Sequence, residues 1–178
     1  MFEKRIENFK KLNEMQDIIL AASKIIKNTF LAGNKVLLCG NGGSASDCNH
    51  IAAEFISRFQ KERSSLPAIS LAANNSIITA ISNDYSFENV FSRQIEGLGN
   101  KNDVLIAIST SGKSKNVLRA IEQAKKQDLK VIFLTGINKT NSNVDLEINV
   151  PSNVTCEIQE MHIAIAHILC EIIEKDCN

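Results

Sequence analysis

The segment Asp103-Val104-Leu105-Ile106-Ala107-Ile108 narrows the possible folds of this chain more than any other. Its apolar residues follow one another without polar alternation, as in a strand buried on both faces. Such a strand belongs in a parallel sheet with helices above and below it. The rest of the chain supplies the other pieces. Lys35–Gly40, Pro67–Leu71, Lys130–Leu134 and Leu146–Val150 read as four further strands. Apolar side chains at helical spacing predict one long helix over about Phe2–Phe30, stopped by Gly33. Further helices are expected over about Ser44–Phe59, Asn74–Ile81, Phe87–Leu98, Ser114–Lys126 and Thr155–Lys175, with Asn83 and Asp84 between two of them. The pattern predicts an α/β protein, a three-layer αβα sandwich around a five-stranded parallel sheet, in a single domain over residues 1–178.

The length suits one domain with a real core. Lys plus Arg and Asp plus Glu both number 20, so formal net charge is zero. That balance argues against a nucleic-acid or membrane-surface partner. The five cysteines, Cys39, Cys48, Cys156, Cys170 and Cys177, are scattered and odd in number, as expected of buried thiols in a reduced chain. The charged N-terminus does not read as a signal peptide, and no apolar run would span a bilayer. The expected location is the cytoplasm. The segment over residues 1–32 is more apolar than a free helix should be, so it is expected to pack at an interface between subunits.

Ligands in parallel α/β sheets bind beyond the carboxyl ends of the strands. Two Gly/Ser loops stand at such ends. One is Gly40-Asn41-Gly42-Gly43-Ser44. The other is Ser109-Thr110-Ser111-Gly112-Lys113-Ser114, which carries four hydroxyls. Free amides, hydroxyls and a following helix N-terminus suit a phosphate monoester. Helix capping alone would require one hydroxyl, not four. The second loop is not a P-loop, because Ala107 stands where a glycine is needed. Gly40, Gly42 and Ala45 loosely match a dinucleotide fingerprint. However, Glu62 lies in a polar segment and not at a strand end, so no nucleotide cofactor is expected.

His50 and Glu54 share one face of the helix that follows the first loop. That spacing serves metal ligation and acid/base chemistry alike. On the C-terminal helix, Ile158, Met161, Ile165, Leu169 and Ile172 form one apolar stripe. Gln159, Ile163, Ala166, His167 and Cys170 form a second, which implies burial on both sides. Gln159 and His167 are polar residues in that second stripe, and a ligand or metal would satisfy them. His162 projects nearer the first stripe and is assigned a structural or interface role.

These residues carry a resemblance. Gly40-Asn41-Gly42-Gly43-Ser44-Ala45-Ser46-Asp47 with His50 and Glu54, Ser82-Asn83-Asp84 with Phe91-Ser92-Arg93, the Ser109–Ser114 loop, and Gln159-Glu160-Met161-His162 through His167 occur in the order of the sugar isomerase (SIS) fold. Within it, the combination of His50, Glu54, Gln159 and His167 resembles the phosphoheptose isomerases. The resemblance implies a flavodoxin-like sheet and conversion of sedoheptulose 7-phosphate to D-glycero-D-manno-heptose 7-phosphate for bacterial surface polysaccharides. It also implies a homotetramer and one zinc ion per subunit held by His50, Glu54, Gln159 and His167.

Aldose–ketose isomerisation moves a proton between adjacent carbons through an enediol, which requires a base and an acid. Glu54 is the expected base and His167 the expected acid, though the two roles could be exchanged. Asn41, Gly42, Gly43, Asn83 and Asp84 are expected to contact the sugar, together with Glu54 and Gln159. Ser109, Thr110, Ser111 and Ser114 would hold the phosphate. Arg58, expected one turn beyond Glu54 on the same helix face, is a further candidate. The competing expectation is a non-catalytic module of the same fold that binds a sugar phosphate or a partner protein.

Overall fold

The computed structural model describes residues 2–176. Cys177, counted above among the thiols, lies outside them. The five strands are β1 (Val36–Gly40), β2 (Ala68–Ser70), β3 (Val104–Ile108), β4 (Lys130–Thr135) and β5 (Leu146–Asn149). All neighbours are parallel, in the order β2-β1-β3-β4-β5. This is the doubly wound order with a switch point between β1 and β3.

The strands are apolar throughout because both faces are covered. Every residue of β1 and β3 is buried. Alternate side chains enter two separate cores. Val36, Leu38, Ile106, Ile108, Ile132 and Leu134 meet α2 (Gln16–Leu31), α3 (Gly43–Ile56) and α7 (Thr155–Asp176). Leu37, Cys39, Leu105, Ala107, Val131 and Phe133 meet α5 (Ser92–Leu98) and α6 (Lys115–Lys126). The three-layer expectation holds, and α4 (Asn75–Asp84) adds no buried residue to either core.

The helix expected over Phe87–Leu98 is a 3-10 turn at Phe87–Asn89 followed by α5, and three further expected boundaries are corrected. The long N-terminal helix is broken by a 3-10 turn at Asn13–Met15 into α1 (Phe2–Leu12) and α2. The break lets α1 bring Lys4, Arg5 and Asn8 to Glu157 and Glu160 on α7, while α2 packs Ile19, Ala22 and Ile26 into the core. Asn83 and Asp84 are not between helices but form the last turn of α4, which Asn74 caps by accepting from the Ile77 amide. The helix expected to reach Phe59 ends at Ile56. There the Arg63 guanidinium takes the carbonyls of Glu54 and Phe55, and the Glu174 carboxylate takes the amides of residues 59–61.

Candidate active site

The site is built on the loops that leave β1 and β3, which run side by side in the sheet. After Gly40 the chain turns through Asn41 and Gly42 into α3. Gly42 has φ +56°, a left-handed conformation that favours glycine. It occupies the N-cap position without a side chain, and the Ser44 and Ala45 amides donate to the Asn41 and Gly42 carbonyls instead of to a side-chain cap. Gly43 is needed for a different reason. A Cβ there would overlap the Gln159 side chain, lying 2.9 Å from its Cδ. Absence of that Cβ lets Gln159 of α7 approach the first loop.

The second loop runs from Ser109 to Ser114 and enters α6. Ser114 is the N-cap residue, yet its hydroxyl makes no cap bond. Its Oγ lies instead 3.0 Å from Ser109 Oγ. The Ser111 hydroxyl accepts from the Lys113 amide. Simple helix capping therefore does not account for these hydroxyls. The two loops are joined by paired carboxamides: Asn41 and Asn116 donate to each other, both at 2.8 Å. Asn116 was not singled out from sequence, because a buried Asn in a first helical turn resembles an ordinary cap.

Across the first loop, α3 and α7 bring the ionisable groups together. His50 Nε2 and His167 Nε2 are 2.9 Å apart. At that distance one imidazole nitrogen can donate to the other, the direction depending on the tautomer. His50 Nε2 also lies 3.6 Å from Glu54 Oε1. The Phe59 ring leans on His167 at 5.4 Å between centroids. Asp47, one turn before His50, has a buried Oδ2 with no hydrogen-bond partner. Burial raises its pKa, against the opposing pull of His50 and His167. Neither Asp47 nor Phe59 was marked as a site residue from sequence. The i, i+3, i+7 spacing of Asp47, His50 and Glu54 could have flagged the first, whereas Phe59 depends on where α3 ends.

The remaining candidates lie elsewhere in the chain. Asn83 and Asp84 are exposed at the end of α4, with Asn83 donating to Asp84 at 2.8 Å. Arg58 is corrected: it lies beyond α3, not on its face, and pairs with Glu62 at the surface. A cavity of about 980 Å³ runs along α6 between Leu118, Lys125 and the 138–143 loop, touching the Ser-rich loop at Ser111 and Gly112 but not His50, Glu54 or His167.

Two imidazoles, a carboxylate and a carboxamide are donors suited to a borderline divalent cation. Among the described residues no three His, Cys, Asp or Glu side chains are already arranged to hold a metal ion. His50 and His167 turn ring nitrogens toward each other, and a cation held between them would replace that hydrogen bond. Both nitrogens could reach a tetrahedral ion at about 2.1 Å if they parted by roughly 0.5 Å. The donor chemistry fits, and a small opening of the pair provides the room.

Comparison with known proteins places this architecture in a family. Residues 2–136 match the SIS domain. A phosphoheptose isomerase of a Nitratiruptor species is 53% identical over 172 residues, covering 95% of this chain and 92% of the relative. The structure of a phosphoheptose isomerase from Neisseria gonorrhoeae is similar with a TM-score of 0.91 at 37% identity, over 98% of this chain and 95% of that one. One from Francisella tularensis gives 0.91 at 38% identity, over 98% and 94%. With the two Gly/Ser loops at the switch point and an imidazole pair beside a glutamate, this chain belongs to the SIS-domain family and, within it, to the phosphoheptose isomerases.

Proposed function

We propose that this chain is an aldose–ketose isomerase that converts sedoheptulose 7-phosphate to D-glycero-D-manno-heptose 7-phosphate for bacterial surface polysaccharides. The observation that carries the reading is the pairing of His50 with His167 at 2.9 Å beside Glu54. A carboxylate and an imidazole that both neighbour His50 can take a proton from one carbon and return one at the neighbouring oxygen. Glu54 would remove the carbon-bound proton and His167 would protonate the carbonyl oxygen, or the reverse. The Ser109, Thr110, Ser111 and Ser114 loop would bind the phosphate, supported by hydroxyls that no helix cap consumes. Asn41, Gly42, Gly43 and Gln159 would position the sugar. Asn83 and Asp84 would join them from the exposed end of α4. A non-catalytic module would need the loop but not this acid/base pair.

A divalent cation, zinc by its donor set, would be held by His50, Glu54, Gln159 and His167. When bound it polarises the sugar's carbonyl and hydroxyl oxygens. The functional unit would be a homotetramer acting in the cytoplasm. Exposed Phe2, Ile6 and Phe9 on α1 support self-association, and free Cys39, Cys48, Cys156 and Cys170 suit a reducing compartment. The test is incubation with sedoheptulose 7-phosphate and product analysis, before and after chelation, alongside metal analysis of the purified protein. Absence of an aldose product under all conditions would refute the isomerase. Full activity of metal-free protein, unchanged by added zinc, would refute only the cation.

A further inference from the structure

The loop after α3 is held by a buried ion pair with no place in the proton transfer. Arg63 and Glu174 have side chains only 2% and 3% exposed, and Arg63 Nε lies 3.7 Å from Glu174 Oε1. The Arg63 guanidinium closes the C-terminus of α3. Nη2 donates to the Glu54 carbonyl at 2.7 Å, and Nη1 to those of Phe55 and Ser64, each at 2.9 Å. The Glu174 carboxylate, on α7, uses both oxygens. It accepts from the amides of Phe59, Gln60 and Lys61 at 2.9 to 3.1 Å. Phe59, held in this way, leans on the His167 ring.

We propose that Arg63 and Glu174 are positioning residues for the isomerisation, forming a clasp that sets Glu54 on α3 against His167 on α7. The two groups sit on different helices, and one chain of contacts spans them. It runs from the Glu54 carbonyl to Arg63, on to Glu174, then to the Phe59 amide, and from the Phe59 ring to the His167 ring. Proton transfers from a substrate carbon to a carboxylate and from an imidazole to the neighbouring oxygen tolerate little error in where the two groups stand, since a displacement of about 1 Å can cost about 100-fold in rate. Lys at position 63 would keep the charge but cannot donate to several carbonyls from one plane. Gln at position 174 would keep one acceptor oxygen and place an N–H donor before amides that also donate.

This inference rests on the isomerase reading, and the experiment separates the two. Arg63→Lys, Glu174→Gln and Phe59→Leu are compared with Asp103→Asn. Asp103 is a buried carboxylate that ties Lys35 and the Asn100 amide before β3, away from the histidine pair. With sedoheptulose 7-phosphate, Arg63→Lys and Glu174→Gln should lower kcat about 10- to 100-fold, with KM within about threefold of wild type. Phe59→Leu, which leaves the backbone bonds intact, should lower kcat about tenfold. Asp103→Asn should lose thermal stability and keep kcat within about twofold. A second readout needs no turnover. The chain has three histidines, and imidazole 15N shifts of chelated protein should move for His50 and His167 in all three clasp variants, while His162 stays. If Arg63→Lys or Glu174→Gln does not fold, Phe59→Leu and its 15N shifts decide. The clasp is overturned if the folded variants keep wild-type kcat and 15N shifts, if the loss falls on KM, or if Asp103→Asn loses kcat equally. A wild-type protein without turnover counts against the isomerase reading, and the 15N shifts then judge the clasp alone.

Discussion

Glu54 and His162 show how ionisable residues take opposite roles according to their surroundings. Glu54 is part-buried, 3.6 Å from the ring nitrogen of an exposed imidazole, where it is placed to act as a base. We expect Glu54→Gln to lower turnover roughly 100- to 10,000-fold with the fold retained. Steady-state rates with sedoheptulose 7-phosphate, paired with circular dichroism, check this, and activity within a few-fold of wild type would remove Glu54 as the base. His162 is 1% exposed, and its Nε2 donates to the Thr135 carbonyl at 3.1 Å. Its Nδ1 is buried without a partner. Desolvation lowers its pKa from 6.5 to about 4, so it is neutral in the folded protein. Because the folded value lies below the unfolded one, the unfolded chain takes up the proton first. Stability is complete above pH 6.5 and falls as pH drops toward 4. His162→Gln, which can still donate to Thr135, should flatten thermal stability across that window. The wild-type change there is roughly 3 kcal/mol. A variant with the wild-type slope would show that other groups dominate.

At the scale of the element, α1 is tied to α7 by charge. Glu157, near the start of α7, receives Lys4 at 2.6 Å, the Ser152 hydroxyl at 2.8 Å and the Asn8 amide at 3.1 Å. The bond from Lys4 is the main cause that lowers its pKa from 4.5 to about 2. The folded value again lies below the free one, so this support is complete above pH 4.5 and is lost as pH falls toward 2. Hydrogen exchange should show α1 opening in that range before the sheet does. In Glu157→Gln, α1 should exchange faster already at neutral pH and respond less to acid. Equal protection of α1 in both proteins would mean that apolar packing alone holds it. The same pairing explains why the sequence suggested one long N-terminal helix. The apolar period runs on through Asn13–Met15, and the Asn8–Glu157 bond that ties α1 to another helix leaves no mark on it.

At the scale of the molecule, the described surface exposes large apolar side chains in groups. Phe2, Ile6 and Phe9 on α1 are 80%, 56% and 46% exposed, and Leu20 on α2 is 52% exposed. Spacing of three and four residues makes the α1 set one stripe. A stripe of this kind usually marks an interface, and in a chain without large net charge a second copy is the simplest occupant. Sedimentation at micromolar concentration should give an assembly larger than a monomer. Phe9→Glu should dissociate it and, if the sites need a neighbouring copy, reduce turnover. A wild-type monomer would refute the assembly. No helix among the described residues is long and apolar enough to cross a membrane, so this stripe is not part of a spanning segment.

Local chemistry by itself determined the sheet, its parallel sense and the two loops, because unbroken apolar runs such as Val104–Ile108 and Ser/Gly clusters such as Ser109–Ser114 act over a few residues. It also marked His50 and Glu54, one helical turn apart, and set Gln159 and His167 on one stripe of a helix. Tertiary structure decided what depends on distant partners. His50 meets His167 across 117 residues of sequence, and Asn41 meets Asn116 across 75. The end of α3, and with it the position of Arg58 and Phe59, is set by Arg63 and Glu174, the latter on the last helix. Periodicity carries no information about such contacts, because a hydrogen bond between remote residues leaves no regular spacing in either segment.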